Sequence, residues 1–530
     1  MTIANVTPIS TTLGSKYSVD TTTFQYPRRA VLIGDSITQR GNYSVTLTTL
    51  TVDASGLGTF TGAAHALYPG APFALVNASI EQFNGYNTAI DRTSSSVFTA
   101  QLQKGVAGTA TGATMSVTAL GRFSDRNWFE MANASLAAHP FNTVLNMGAS
   151  GQTTTEIAAR FARDALAFAP DLIQIQGGIN DIQATTAGAE ATTLATLKTN
   201  FTYMIEATLA AGAIPLVVTC LPLSSTASSY TAARGQLVLK FNQWLRQLAA
   251  YTYSKMVLFD FWAVCADPAS ATGNFLTNYS ATDGIHPSPL ACQKGSQTLA
   301  TLLGNFYYPS TSWVGSLFDS YDNDSSNKQI DPNPLNTGTG GTAAGGATGN
   351  VPNSYTATKT GAGATATMTI AAAANGIGND MICTFTSTAD ADAIDIVQTS
   401  QLHARTSPGD VIVAQAHVNV TGITNMSNLS FAFEWVCAET GGGAVYTQPA
   451  AIGSAGTTAS VGAPGADSID YILRTPPLTA TAGGLTGIKT RLKMAFNGAG
   501  GAVLKYGQHS ITILQAPPTI VPAVPTTILS

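Results

Sequence analysis

Charge is scarce in this chain: only 10% of its 530 residues are Asp, Glu, Lys or Arg, and the formal net charge is −5. The few cations are scattered, so no basic surface is available to neutralise phosphates, and nucleic acid is not an expected partner. Long apolar runs are missing as well. No stretch of about 18 apolar residues occurs, so no membrane-spanning helix is expected, and residues 1–20 show neither the basic start nor the apolar segment of a signal peptide. Cysteine is limited to Cys220, Cys265, Cys292, Cys383 and Cys437, odd in number and far apart. That spacing fits no metal site, so the five read as buried thiols, and neither a metal nor a cofactor is expected. Histidine is scarce too, with six in all: His65, His139, His286, His403, His417 and His509.

What is abundant is Ala, Thr, Ser and Gly, with 50 glycines, a balance that favours β-rich, turn-rich domains over helical bundles. The length demands two to four domains. Residues 1–27 form an N-terminal segment without a clear pattern. From 28 to 308, short apolar runs at 30–33, 143–147, 172–176, 214–220 and 256–261 alternate with amphipathic stretches at 153–168, 191–211, 230–251 and 289–306. Strands separated by helices of this length require right-handed crossovers. The expectation is an α/β domain of three layers (α/β/α) with a five-stranded parallel sheet, whose ligands sit beyond the carboxyl ends of the strands.

Between 41 and 125 the alternation breaks. Val45, Leu47, Leu50 and Val52 mix with threonine, and turn signals recur at Gly56, Gly58, Pro69-Gly70, Asn84-Gly85 and Gly105, so a small β-rich insertion is expected. Rooted just after the first strand, it should overhang the active site and shape access. Helical periodicity resumes at 128–138. Residues 309–354, crowded with Gly, Thr, Asn and Pro, read as a linker too polar to form a core. From 355 to 516, β runs at 364–370, 381–386, 394–399, 411–420, 429–437, 469–473, 488–496 and 503–514 predict a C-terminal β-sandwich resembling a jelly roll, and 517–530 a Pro-rich tail. Phe431, Phe433 and Trp435 share one strand face, a spacing expected of core rather than of a sugar platform.

Two short stretches carry chemistry. Gly34-Asp35-Ser36-Ile37-Thr38 follows the first apolar run, so Ser36 falls where a strand ends and a helix starts. A serine hydroxyl is a weak nucleophile until a base takes its proton, and the best base near neutral pH is a histidine held in one tautomer by a carboxylate. His139 and His286 fall in the sheet domain, and only His286 has a carboxylate, Asp283, three residues upstream, with Gly284 between them for a tight turn. Pro287 biases His286 toward extended backbone, and Ser288-Pro289 look like a helix cap and first turn. An oxyanion needs N–H donors. Gly151 precedes a helix with a capping-box pattern at Thr153 and Glu156, and Asn180 follows the third strand, so Gly151 N–H, the Asn180 amide and the Ser36 N–H are the expected donors. Asp35 and Asp181 read as structural. Arg40 and Arg160 could touch an anionic substrate, but solvated surface positions are expected for both.

Taken in order, Gly34-Asp35-Ser36, Ser150-Gly151, Gly178-Ile179-Asn180-Asp181 and Asp283-Gly284-Ile285-His286 resemble the four blocks of the SGNH hydrolase (GDSL esterase/lipase) superfamily, over roughly half the chain. The resemblance implies Ser36 as nucleophile, His286 as base, Asp283 as its orienting partner, and Ser36, Gly151 and Asn180 as the oxyanion hole. The insertion after the first block departs from the family pattern. Its Gly-rich turns and the segment 333–342 are similar to stretches of bacteriophage tail fibre and tailspike proteins. The reading that follows is a serine esterase removing O-acetyl groups from a bacterial surface polysaccharide, capsule or O-antigen, as a virion or extracellular protein, with a homotrimer expected if it is a tailspike. Its rivals are a lipase or lysophospholipase, and a non-catalytic receptor-binding virion protein.

Overall fold

The computed structural model describes residues 28–514 except 40–42, 64–66, 81–82, 84, 95, 103–106, 113–114, 120–125, 135, 137–140, 307–313, 318, 320–328, 399–405, 438–444, 454–467, 476 and 481–484. The segment 1–27, the tail 517–530, Arg40, His65, His139 and His403 therefore lie outside the described residues.

Strand β1 (Arg28–Gly34) runs into the short helix α1 (Ser36–Gln39). The chain then leaves for seven strands, β2 (Tyr43–Val52), β3 (Leu57–Gly62), β4 (Pro72–Val76), β5 (Gly85–Ser94), β6 (Val97–Gln101), β7 (Gly108–Thr111) and β8 (Ser116–Ala119). Helix α2 (Trp128–Ala134) returns it to β9 (Phe141–Gly148), after which helices and strands alternate: α3 (Thr154–Asp164), β10 (Leu172–Ile175), α4 (Ile179–Ala184), α5 (Glu190–Ala210), β11 (Ile214–Val218), α6 (Ala232–Tyr251), β12 (Val257–Phe259), α7 (Phe261–Cys265) and α8 (Pro289–Gly304).

The five expected runs form one parallel sheet in the order β12-β11-β10-β1-β9. Ala30, Val31, Leu32 and Ile33 are all buried, as a central strand covered on both faces must be. The chain adds β9 on one side of β1 and then crosses to add β10 on the other. The order therefore reverses around β1, and the turns after β1, β9 and β10 converge at one edge, where ligands of open α/β sheets bind.

Strands β2 to β8 close on themselves. Antiparallel pairings run β2–β3–β6–β5–β4–β8 and back to β2, with β7 beside the second half of β2. Phe60, Phe73 and Phe98 fill this small barrel, Phe60 stacking on Phe98 at 4.5 Å and Phe73 meeting both edge-on. Closure pairs each of the six ring strands on both sides, while β7 pairs with β2 alone among the described residues. One contact of the insertion with the sheet domain lies away from the edge it was expected to overhang. Its Tyr86 packs edge-on against Phe168, at 5.0 Å, just ahead of the first residues of β10 and thus at the end of the sheet opposite Ser36.

The C-terminal β-rich region, read as a sandwich, begins earlier than expected. Within the segment read as linker, Ile330, Asp331, Asn333 and Asn336 are buried, and β13 (Thr342–Ala344) and β14 (Thr348–Gly349) pair with β15 (Tyr355–Thr360) and β16 (Thr365–Ala372). Polar side chains replace the missing apolar core: Asn336 Nδ2 donates to Tyr506 O at 2.8 Å, and Asp331 hydrogen-bonds His509 in the interior. Then follow β17 (Asn379–Ser387), β18 (Ala393–Gln398), β19 (Val411–Cys437), β20 (Val445–Gly453), β21 (Ile469–Arg474), β22 (Leu478–Thr479) and β23 (Leu485–Leu514). The runs expected as separate strands at 411–420 and 429–437 are one strand, β19, and those at 488–496 and 503–514 are one strand, β23. These two pair along their whole length within one eleven-stranded sheet, with register shifts around Thr421 to Asn428. The far edge of β23 pairs first with β18 and then with β17. Rings from different strands of the sheet meet in the core, Tyr355 with Tyr506 at 6.0 Å and Phe431 with His509 at 5.9 Å. Phe431, Phe433 and Trp435 are core residues.

The units are joined by specific contacts. Ser296 on α8 shares a buried 3.0 Å hydrogen bond with the Tyr471 hydroxyl of β21, and Thr479 N donates to Pro69 O of the barrel at 3.2 Å.

Candidate active site

The turn after β1 is built so that little besides glycine fits. A Cβ on Gly34 would stand 2.3 Å from Thr38 Oγ1 and 2.9 Å from the backbone oxygen of Gln176, and one on Gly148 would stand 2.2 Å from Gln39 N. Within that space α1 is pinned at several points. Ile37 N donates to Asp35 Oδ1 at 2.9 Å, Thr38 Oγ1 to Gln176 Oε1 at 2.9 Å, and Asn146 Nδ2 to Thr38 O at 2.7 Å. Asp35 is fully buried, and burial pushes its carboxyl up to about 6. It is a structural residue, as expected. Together these bonds fix the Ser36 hydroxyl at the first position of α1.

The second element is the turn 283–286. Gly284 has φ +70° and its carbonyl accepts from Ser224 N at 3.0 Å. A side chain there would be strained and would crowd Ser224 and Thr226. Asp283 Oδ1 accepts from Ile285 N at 2.9 Å and from His286 N at 3.0 Å, while Oδ2 lies 2.7 Å from His286 Nδ1. Desolvation pushes the Asp283 carboxyl up, but the two backbone donors and the imidazole outweigh it and hold the group at about 2. Ser288, not Asp283, caps α8, its Oγ accepting from Ala291 N at 3.2 Å. On its other side the imidazole reaches Ser36: His286 Nε2 stands 2.8 Å from Ser36 Oγ across 250 residues of sequence. A carboxylate on Nδ1 keeps the proton there and leaves Nε2 as an acceptor, the condition for drawing a proton from the hydroxyl.

The third element joins the turns after β9 and β10. Gly151 has φ +78°, is exposed, and has no atom near the position a Cβ would take. Asn180 Nδ2 donates one of its two hydrogens to Gln152 O at 2.9 Å, which orients the amide. Asp181 holds the same two turns together from beneath, accepting from Thr154 N and Thr154 Oγ1, both at 2.8 Å. Glu156 accepts from Thr153 N at 2.7 Å, so the expected cap of α3 is present. Ala149 N donates to Gly34 O at 2.9 Å, tying this loop to the turn that carries Ser36.

Arg160 departs from expectation. It is not a solvated surface residue: its side chain is only 11% exposed, and it donates to Gly34 O at 2.9 Å, to Gln152 Oε1 at 2.6 Å and to Asp164 Oδ2 at 3.3 Å. The supports that sequence reasoning missed are Arg160, Asn146, Gln176 and Gln152. Asn146 and Gln176 carried a signal, being amides inside otherwise apolar strand runs. Among the described residues, no cluster of His, Cys, Asp and Glu suits a metal ion, and Cys220, Cys265, Cys292 and Cys383 are buried free thiols.

Comparison with known proteins sets this geometry in context. Over 80 residues, 15% of its length, the chain is 34% identical to the uncharacterized lipoprotein YqeF of Bacillus subtilis (strain 168), and the match spans 33% of that protein. Among solved structures it is similar to a lipase/acylhydrolase from Enterococcus faecalis, with 16% identity, a TM-score of 0.30, and coverage of 54% of this chain and all of that one. It is also similar to Axe2, an acetylxylan esterase from Geobacillus stearothermophilus, with 16% identity, a TM-score of 0.28, and coverage of 52% and 92%. Residues 111–294, which hold Gly151, Asn180, Asp283 and His286, match the GDSL-like Lipase/Acylhydrolase family. Ser36 lies before that match, separated from it by most of the barrel, and is joined to it by the hydrogen bond to His286. The likeness to the GDSL-like lipase/acylhydrolase family is thus carried by residues 111–294 of the chain.

Proposed function

We propose that the protein is a serine esterase that works through an acyl-enzyme, and that its substrate is an O-acetylated bacterial surface polysaccharide. The observation that carries the reading is the continuous hydrogen-bonded line from Ser36 Oγ through His286 to Asp283, at 2.8 and 2.7 Å. In this scheme His286 Nε2 takes the Ser36 proton as Oγ attacks the ester carbonyl, and Asp283 stabilises the imidazolium that forms. The oxyanion is received by the N–H groups of Ser36 and Gly151 and the amide of Asn180. His286 then hands its proton to the leaving sugar hydroxyl, and in the second half activates the water that releases acetate.

The surroundings of Ser36 favour a short acyl group and a polar alcohol. Residues of the turns around it that reach solvent include Ser150, Gly151, Gln152, Asn180 and Asp283, all small or polar. A lipase would need an apolar groove here. A virion or extracellular setting and assembly as a homo-oligomer, a trimer in a tailspike, belong to the same proposal.

The test is release of acetate from acetylated capsular and O-antigen polysaccharides, with Ser36→Ala and His286→Ala beside the parent. The proposal expects the parent to release acetate and each variant to fall by about 10⁴-fold or more. Equal release by all three proteins would remove the esterase reading, and a preference for long-chain over acetyl esters would replace the polysaccharide by a lipid.

A further inference from the structure

Arg160 is buried yet touches none of the groups assigned a chemical step, and its three acceptors belong to three separate segments. One is the Gly34 carbonyl, two residues before Ser36. Another is the side chain of Gln152, whose own carbonyl receives the Asn180 amide, and the third is Asp164 at the end of α3. A guanidinium presents its five N–H donors in a rigid plane, so three acceptors around it are held in fixed relation to one another. A lysine ammonium is a point charge on a flexible stem and cannot impose that geometry.

Asp164 in turn has neighbours on two sides. Arg163 donates to both of its oxygens, and the phenol of Tyr86, on β5 of the barrel, is pushed up by burial and lies close enough for the Asp164 charge to help. The Tyr86 ring is anchored on Phe168. A line of neighbouring groups therefore leads from Tyr86 of the barrel, through Asp164 and Arg160, to the turn carrying Ser36 and the turn carrying Asn180. It runs from the end of the sheet where Tyr86 meets Phe168 to the edge where the chemistry is proposed.

We infer that Arg160 is a positioning residue that sets the Ser36 turn and the oxyanion turn in register, and that the inserted barrel, through Tyr86, braces it. This rests on the esterase reading of the site. Misplacement of reacting groups by about 1 Å costs on the order of 10²-fold in rate, while the surface that binds the substrate is unaltered, so the loss should fall on kcat with KM little changed.

The experiment measures kcat and KM on 4-nitrophenyl acetate for the full chain and for Arg160→Gln, Arg160→Lys, Tyr86→Phe and Ser36→Ala, with thermal unfolding of each. The expected result is a kcat loss of about 10- to 100-fold for Arg160→Gln, a smaller loss for Arg160→Lys, a several-fold loss for Tyr86→Phe, and KM within about twofold of the parent throughout. Tyr86→Phe removes one hydroxyl from a partly exposed residue and keeps the ring on Phe168, so it decides the matter even if Arg160→Gln does not fold. An active parent whose Tyr86→Phe and Arg160→Lys variants keep the parental kcat overturns the inference alone. A parent no faster than Ser36→Ala overturns the reading of the site, and the inference with it.

Discussion

Replacing Asp283 by Asn tests the site at its most sensitive point, because the change keeps the shape of the turn and removes only the charge. Asn retains a carbonyl oxygen in the place of Oδ1, which accepts from Ile285 N and His286 N at 2.9 and 3.0 Å. The turn should therefore survive, at a cost below about 1 kcal/mol, the worth of an ordinary hydrogen bond. The amide, however, sets an NH2 where Oδ2 stood 2.7 Å from Nδ1. Two donors cannot share that contact, so Nδ1 becomes the acceptor, the proton moves to Nε2, and Nε2 can no longer take the proton of Ser36. A wrong tautomer of this kind costs about 10⁴-fold in kcat in serine hydrolases of other folds, or about 5 kcal/mol of transition-state stabilisation. The assay is kcat on 4-nitrophenyl acetate from pH 5 to 9, with thermal unfolding of both proteins. Since the Asp283 carboxyl is held at about 2, below its ordinary 3.8, it stays ionised throughout that window, and the acidic limb of the parent profile should be a single histidine titration. The sign for stability follows: the depressed carboxylate adds stability above about pH 4, which is lost as the pH falls toward 2. Asp283→Asn within tenfold of the parent, while folded, refutes the reasoning.

Two further predictions concern the scaffold. Gly148→Ala would place a Cβ 2.2 Å from Gln39 N, a backbone atom of α1 that cannot turn aside, so a loss of about 2 kcal/mol or more is expected, read as a lowered Tm together with reduced kcat; a parental Tm with parental kcat contradicts it. Glu130 on α2 is buried, and burial pushes its carboxyl from 4.5 up to about 8. The folded state thus keeps a proton that the unfolded chain gives up, and stability should fall as pH rises from about 4.5 to about 8. Glu130→Gln should flatten that slope and raise Tm at pH 8, whereas parallel Tm curves for parent and variant would rule the effect out.

The site was legible in the sequence because each of its turns is marked locally. Gly34, Gly151, Gly178 and Gly284 punctuate strand ends, and Asp283 and His286 are close enough in sequence to be read as a pair. The parallel sheet was legible for a related reason, since strands buried on both faces are unbroken apolar runs. What was not legible depends on partners far away in the chain. Closure of the barrel is a pairing between β2 and β3 added to a ring of others, and nothing in either strand announces it. The runs read separately at 411–420 and 429–437, and at 488–496 and 503–514, are continuous because the strands pair through the residues between them, with register shifts there and Asn425 at φ +56°. The segment 329–354 looked too polar to pack because its interior contacts are hydrogen bonds of Asp331, Asn333 and Asn336 rather than apolar ones. Arg160 read as a surface cation because its three acceptors include a backbone carbonyl 126 residues away.

The most direct measurement is mass spectrometry of the protein after reaction with a fluorophosphonate ester, which traps an activated serine as a stable covalent adduct. The account predicts one adduct per chain, mapped to Ser36, absent in Ser36→Ala and formed far more slowly in His286→Ala. No adduct on the folded parent, or an adduct on another residue that persists in Ser36→Ala, would contradict it.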